Sequence, residues 1–183
     1  MRPRFSFLQS AKTALACVAV CSAFAGGEGR ARAENNRENE VRAAMIFNFA
    51  RFTRWPEGAF ADSEGRLTIC APRENALSGA LKRIEGKRIR GKEITIRKKA
   101  SFHLGAHGCH VVIITAPLSE EAHWLRSGNT LIISVAEDVA PDIASIELVS
   151  VGRQIRFVVN PAAAKASGVE ISSKLIDLAV QVR

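Results

Sequence analysis

Apolar and polar positions follow two periods along this chain, and the fullest instance of the helical one is residues 41–56, VRAAMIFNFARFTRWP. Val41, Ala44, Met45, Asn48, Phe49 and Phe52 recur at i, i+3, i+4, i+7, i+8 and i+11, one face of an α-helix. Ile46 and Phe47 widen that face. The spacing predicts a helix to about Thr53, ended by Trp55-Pro56, because the residue before a proline is pushed out of the α region. Asn48 is the only polar residue on the stripe, so a buried stripe requires a hydrogen-bond partner for it. Arg51 and Arg54 fall on the last turn and its exit, where cations suit the carbonyl end of the helix dipole. Asn35, Asn36 and Asn39 in the polar stretch 34–40 are candidate N-caps. On periodicity alone this is a core helix with a Trp lid.

The other elements follow in order. Residues 66–71, RLTICA, alternate as a strand. Leu77, Ala80, Leu81 and Ile84 predict a helix over 75–85, stopped by Gly86. In the basic block 87–99, KRIRGKEITIRKK, Ile89, Ile94 and Ile96 predict a strand broken at Gly91. Residues 109–116 and 130–135 are continuous apolar runs of strand length, the mark of strands buried on both faces. Between them, 118–126 reads as a short helix. Residues 146–151 and 154–160 flank Gly152-Arg153 as a hairpin. Helices over 161–166 and 172–182 close the chain, the last with Leu175, Ile176, Leu178 and Ala179 facing inward. This alternation predicts an α/β fold: a single layered domain, a mainly parallel sheet flanked by helices, with a C-terminal β-hairpin and helix.

Length and charge refine the picture. The 183 residues leave room for one domain and a short appendage. Residues 1–33 read as a signal peptide: Arg2, Arg4 and Lys12 precede the apolar run 14–25, too short to span a bilayer, and A-x-A sites end at Ala25 and Ala33. Cleavage after Ala33 removes five basic residues and one acid, so the formal charge falls from +8 to +4. The remaining domain, 34–183, is then exported and mildly basic, which argues against nucleic acid as its partner.

Cys17 and Cys21 leave with the signal. Cys70 and Cys109 remain as an even pair in an oxidising compartment, for which a single disulfide is the default. His103, His107, Cys109 and His110 offer zinc-ligand types in one loop, but without a paired carboxylate, and Cys109 is claimed by Cys70. No phosphate loop, dinucleotide fingerprint or nucleophile elbow occurs. No metal, cofactor or catalytic residue is therefore expected. The basic block reads as a solvated strand face or, more sharply, as a surface for an anion or an acidic partner.

The chain resembles the YfiR family of periplasmic proteins, once a domain of unknown function. The resemblance rests on VRAAMIFNFARFTRWP, LTICAPRENALSGAL, GKRIRGKEITI, GCHVVIIT and GRQIRFVVNPAAAKASGVEISSKLIDLA, in that order from Val41 to Ala179. The specific parts are the two ends: the helix closing on Trp-Pro, and the tail with IRF-x-x-N, A-x-x-x-G and I-S-S-x-L.

The resemblance implies a regulatory binding protein rather than an enzyme. Such a protein represses an inner-membrane diguanylate cyclase through the cyclase's periplasmic region, lowering cyclic di-GMP and restraining biofilm formation. It further implies a possible homodimer and an OmpA/Pal-type outer-membrane lipoprotein that sequesters the repressor. Cys70 and Cys109 match the family's disulfide positions. A second cysteine pair found in some members is absent from residues 142–156, so a redox switch needing it is not expected. Because both specific ends carry charged or aromatic residues, Asn48, Arg51, Arg54, Trp55, Glu170 and Lys174 form the expected ligand or partner site. The alternative is a periplasmic solute-binding module for a small anionic or aromatic ligand.

Overall fold

The computed structural model describes residues 26–73, 76–99, 107–117, 125 and 128–183. The chain divides into Met1–Asn36 and a larger compact unit, Arg37–Arg183. Helix α1 is Gly26–Phe52. It is followed by β1 (Thr53–Arg54), a 3-10 turn (Ala61–Ser63), β2 (Leu67–Pro72), α2 (Ser78–Leu81), β3 (Arg88–Ile89), β4 (Lys92–Lys99), β5 (Val111–Ile114) and β6 (Leu131–Ser134). The remaining elements are β7 (Ile146–Val151), β8 (Gln154–Val159), α3 (Pro161–Ala166), β9 (Glu170–Ile171), α4 (Ser173–Ile176) and β10 (Gln181–Val182).

Eight strands form one sheet in the order β10-β8-β7-β6-β5-β2-β4-β3. Pairings are parallel except at the β7–β8 hairpin and at β3–β4. The predicted class holds: a mixed α/β domain on a mainly parallel sheet with flanking helices. The continuous apolar runs occupy the sheet's centre, where every residue of β5 and β6 is buried. Side chains alternate between the faces, as strand geometry requires. Leu67, Ile69, Val111, Ile113, Leu131, Ile133 and Ile146 share a core with Ala43, Ile46, Phe49 and Ala50 of α1. Phe49 meets Phe157 with ring centroids 5.0 Å apart. Cys70, Val112, Ile114 and Ile132 belong to a second cluster with Cys109, Leu125, Ala140 and Ala144. The expected disulfide lies there: Cys70 and Cys109 are bonded, their Cα atoms 5.7 Å apart.

Several expectations are corrected. First, α1 begins at Gly26, so Asn35, Asn36 and Asn39 lie within the helix and are not caps. No proline interrupts that stretch, and Glu38 pairs with Arg42 one turn on at 2.6 Å. Second, its buried stripe is Asn39, Ala43, Ile46, Phe49 and Ala50, whereas Val41, Ala44 and Asn48 are exposed. Asn39, Ala43 and Ala50 on that stripe are small or polar, so the buried side is not the most hydrophobic-looking one. Third, the block 87–99 is a hairpin rather than one broken strand. Arg90 and Gly91 both have positive φ (49° and 81°), as a two-residue type I′ turn demands. Fourth, the last helix stops at Ile176. The amides of Val180 and Arg183 then donate to the carbonyls of Phe157 and Val159, adding β10 beside β8 and leaving Leu178 exposed. The predicted helix over 75–85 contracts to Ser78–Leu81 with turns after it. The predicted helix over 118–126, except Leu125, lies outside the described residues, as do His103 and His123.

Candidate functional site

The tail motif explains itself locally. Asn160 caps α3 by accepting from the Ala163 amide at 2.9 Å, and Pro161 occupies the first helical position. Ala163 and Ala164 are buried. Gly168 (φ +75°) follows the cap, and its amide donates to the Lys165 carbonyl while that of Val169 donates to Ala164, an arrangement that closes a helix C-terminus. A Cβ at Gly168 would stand 2.4 Å from Asn129 Oδ1.

This turn delivers β9 to the exit of α1. Thr53 faces Ile171 and Arg54 faces Glu170 in an antiparallel pair. The Ser172 amide donates to the Phe52 carbonyl at 3.0 Å. Thr53 is buried, its hydroxyl donating to the Phe49 carbonyl at 2.8 Å. Arg54 Nη1 lies 3.4 Å from Glu170 Oε1, both side chains well exposed. Such a pair contributes about 0–1 kcal/mol to stability and leaves both charges open to a partner.

Beside it runs an aromatic row. Trp55 is half-buried and meets the edge of Phe60 at 5.8 Å. Its indole N–H is buried and has no hydrogen-bond partner among the described residues. Phe60 stacks on His110, with centroids 4.4 Å apart, and Lys92 Nζ lies 4.6 Å from the Phe60 centroid. His110 Nδ1 accepts from the Thr68 amide at 3.0 Å and Nε2 is 3.0 Å from the Ala59 carbonyl. Together these contacts require the neutral Nε2–H tautomer. Burial lowers the His110 pKa most; the Ala59 carbonyl raises it, and the charges of Lys92 and Arg97 lower it further.

Arg51 turns away from this row into a groove of about 500 Å³ that it lines with Phe47, Phe52, Arg88, Ile89 and Arg90. Arg90 Nη2 donates to the Arg51 carbonyl at 3.3 Å. The expected site residues therefore divide. Arg54, Trp55 and Glu170 share one corner, and Arg51 opens the groove beside it. Asn48 is exposed in a recess between α1 and residues 80–87, so it needs no buried partner. Lys174 is exposed on α4 and forms no ion pair among the described residues. Phe60, Lys92, Arg88 and Arg90 were not singled out from sequence. The clustering of lysine and arginine in the basic block was the one visible signal for Arg88, Arg90 and Lys92, and Phe60 lies outside that block.

These groups suit recognition: guanidinium cations, an indole and one carboxylate at the surface. Cys109 is spent in the disulfide, and His110 uses both ring nitrogens. Among the described residues, no group of three or more His, Cys, Asp or Glu side chains is placed to hold a metal ion. Nor is any helix of those residues long and apolar enough to cross a membrane.

No curated protein matches the chain. A model of the YfiR/HmsC-like family matches residues 39–180. That span contains β1 to β9, α1 from Asn39 onward, and α4. At the level of the family, this is a periplasmic regulatory role in cyclic di-GMP signalling, exercised with a membrane diguanylate cyclase rather than by catalysis. The chain belongs to the YfiR/HmsC-like family.

Proposed function

We propose that this protein is exported by its first 33 residues and represses an inner-membrane diguanylate cyclase by binding the cyclase's periplasmic region. The family match over residues 39–180 carries the reading. The pairing of Arg54 with Glu170 supports it, because it brings the two most family-specific stretches to one exposed corner. In this proposal the contact surface includes Arg51, Arg54, Trp55 and Glu170, with Asn48 and Lys174 at its margins. Arginine and tryptophan are enriched in binding hot spots.

Repression works by population shift. The protein must bind the inactive form of the sensor region more tightly than the active one, and a typical coupling is about 1–3 kcal/mol. Cytoplasmic cyclic di-GMP, and with it biofilm formation, then falls. Release by an OmpA/Pal-type outer-membrane lipoprotein and a homodimeric state belong to the same proposal and rest on the sequence resemblance alone. The test is pull-down of the cyclase's periplasmic region by the mature chain, with and without reductant. Capture in the oxidised state supports the proposal, and failure in both states overturns it. A Trp55→Ala chain that stays folded and still represses would remove Trp55 from the contact surface.

A further inference from the structure

The basic stretch that sequence left between a solvated face and a binding surface comes to rest against the end of α1. Arg88 and Arg90 of the β3–β4 hairpin face Arg51 across the groove, and Phe47, Phe52 and Ile89 supply its apolar lining. Lys87 lies nearby, its Nζ 5.8 Å from the Phe47 centroid. Acidic compensation is thin. Arg88 has Glu93 only at 4.0 Å, and no carboxylate pairs with Arg51 or Arg90 among the described residues. The helix dipole accounts for a cation here, and Arg90 fills that role by donating to the Arg51 carbonyl. It does not account for Arg51 and Arg88 lining the same groove beside Arg90.

Arg90 also stands at φ 49°, where an L-residue with a long side chain is disfavoured by about 1–2 kcal/mol. Asn or Gly is the usual occupant of such a turn position. The arginine is held there despite the backbone.

We infer that this groove receives an acidic segment of the repressor's protein partner, with carboxylates on Arg51, Arg88 and Arg90 and an apolar side chain against Phe47 and Phe52. The planar fork of arginine matches a carboxylate through two parallel hydrogen bonds. The phenyl rings fit an apolar side chain between the carboxylates, which an inorganic anion does not have. Because β3 is the last strand of the sheet, an extended segment can reach the groove from the open edge. The inference rests on the repressor reading and adds to it the chemistry of the docking segment.

The experiment is calorimetric titration of the mature chain with the cyclase's periplasmic region at low and at high salt. The Arg51→Gln/Arg88→Gln/Arg90→Gln chain is expected to bind at least about tenfold more weakly than wild type, with a smaller salt dependence. Lys165→Glu, on the exposed end of α3, should bind as wild type does. Arg88→Glu, which leaves Arg90 and its bond to α1 intact, applies the same criterion if the triple variant misfolds. Folded variants that bind as tightly as wild type overturn the inference while leaving the repressor reading standing. A wild-type chain that binds nothing overturns both. Inorganic phosphate that titrates these arginines, with partner binding indifferent to their substitution, marks an adventitious ion only and also overturns the inference.

Discussion

Phe60 and His110 lie ring on ring, with centroids 4.4 Å apart and planes within 13°. The stack joins the segment after Trp55 to the residue that follows the disulfide, so the candidate corner and the sheet core share one aromatic contact. His110 also bridges two backbone segments, accepting from Thr68 and donating to Ala59. Only the neutral ring can do both.

This fixes a pH dependence. An unfolded histidine titrates near 6.5, and burial holds native His110 below that value. Between the two pKa values the unfolded chain binds the extra proton, so stability is full above 6.5 and falls as pH drops through it. Urea midpoints measured from neutral to mildly acidic pH should decline more steeply for wild type than for His110→Gln. Parallel profiles would show that His110 charges without consequence.

The register of α1 makes a second prediction. Phe49 and Ile46 are buried, and Val41 is 45% exposed. Phe49→Ala should cost about 3–5 kcal/mol and Ile46→Ala about 2–5 kcal/mol. Val41→Ala should stay within about 0.5 kcal/mol. Denaturant unfolding separates this pattern from the stripe that periodicity favours, on which Val41 is a core position.

What sequence conveyed depends on how each element is buried. Strands β5 and β6 were legible because apolar runs buried on both faces need no phase, whereas β2 was read from alternation although all but its last residue are buried. The phase of α1 was not, because Asn39, Ala43 and Ala50 on its buried side are small or polar while Met45, Phe47 and Phe52 are only partly buried. The C-terminal segment misled for a related reason. Leu178, Val180 and Val182 look apolar enough for a core, yet all three are exposed, and β10 is placed by backbone pairing to β8. The corner was legible as two unusual stretches, and the β1–β9 pairing that joins Arg54 to Glu170 was not. The groove was legible only as charge: nothing in the order KRIRGK says that Arg90 meets the carbonyl of Arg51.

The disulfide spans 39 residues, and closing such a loop stabilises the fold by about 4 kcal/mol in the chain-entropy model. Cys70→Ala/Cys109→Ala should lose most of that, and reductant should lower the melting temperature of wild type but not of the variant. A wild-type melting temperature indifferent to reductant would contradict the bond's structural role.

Gly168 meets two constraints, a φ of +75° and the approach of Asn129 Oδ1. Gly168→Ala should destabilise by about 1–2 kcal/mol or more. Asn160→Ala, which uncaps α3, should cost about 1 kcal/mol. Both are read from thermal or urea unfolding, and both should leave partner binding intact once the protein is folded. A large loss of binding in a stably folded Asn160→Ala chain would mean that the tail motif serves recognition directly.

The proposed function is to lower cyclase output from the periplasmic side. Its most direct measurement is cyclic di-GMP synthesis by the full-length cyclase reconstituted in proteoliposomes, with the oxidised mature chain added to the face that bears the periplasmic region. Synthesis should fall saturably with added protein, and Trp55→Ala, melting near wild type, should inhibit less well. Synthesis unchanged by saturating wild-type protein would mean that the protein does not repress the cyclase.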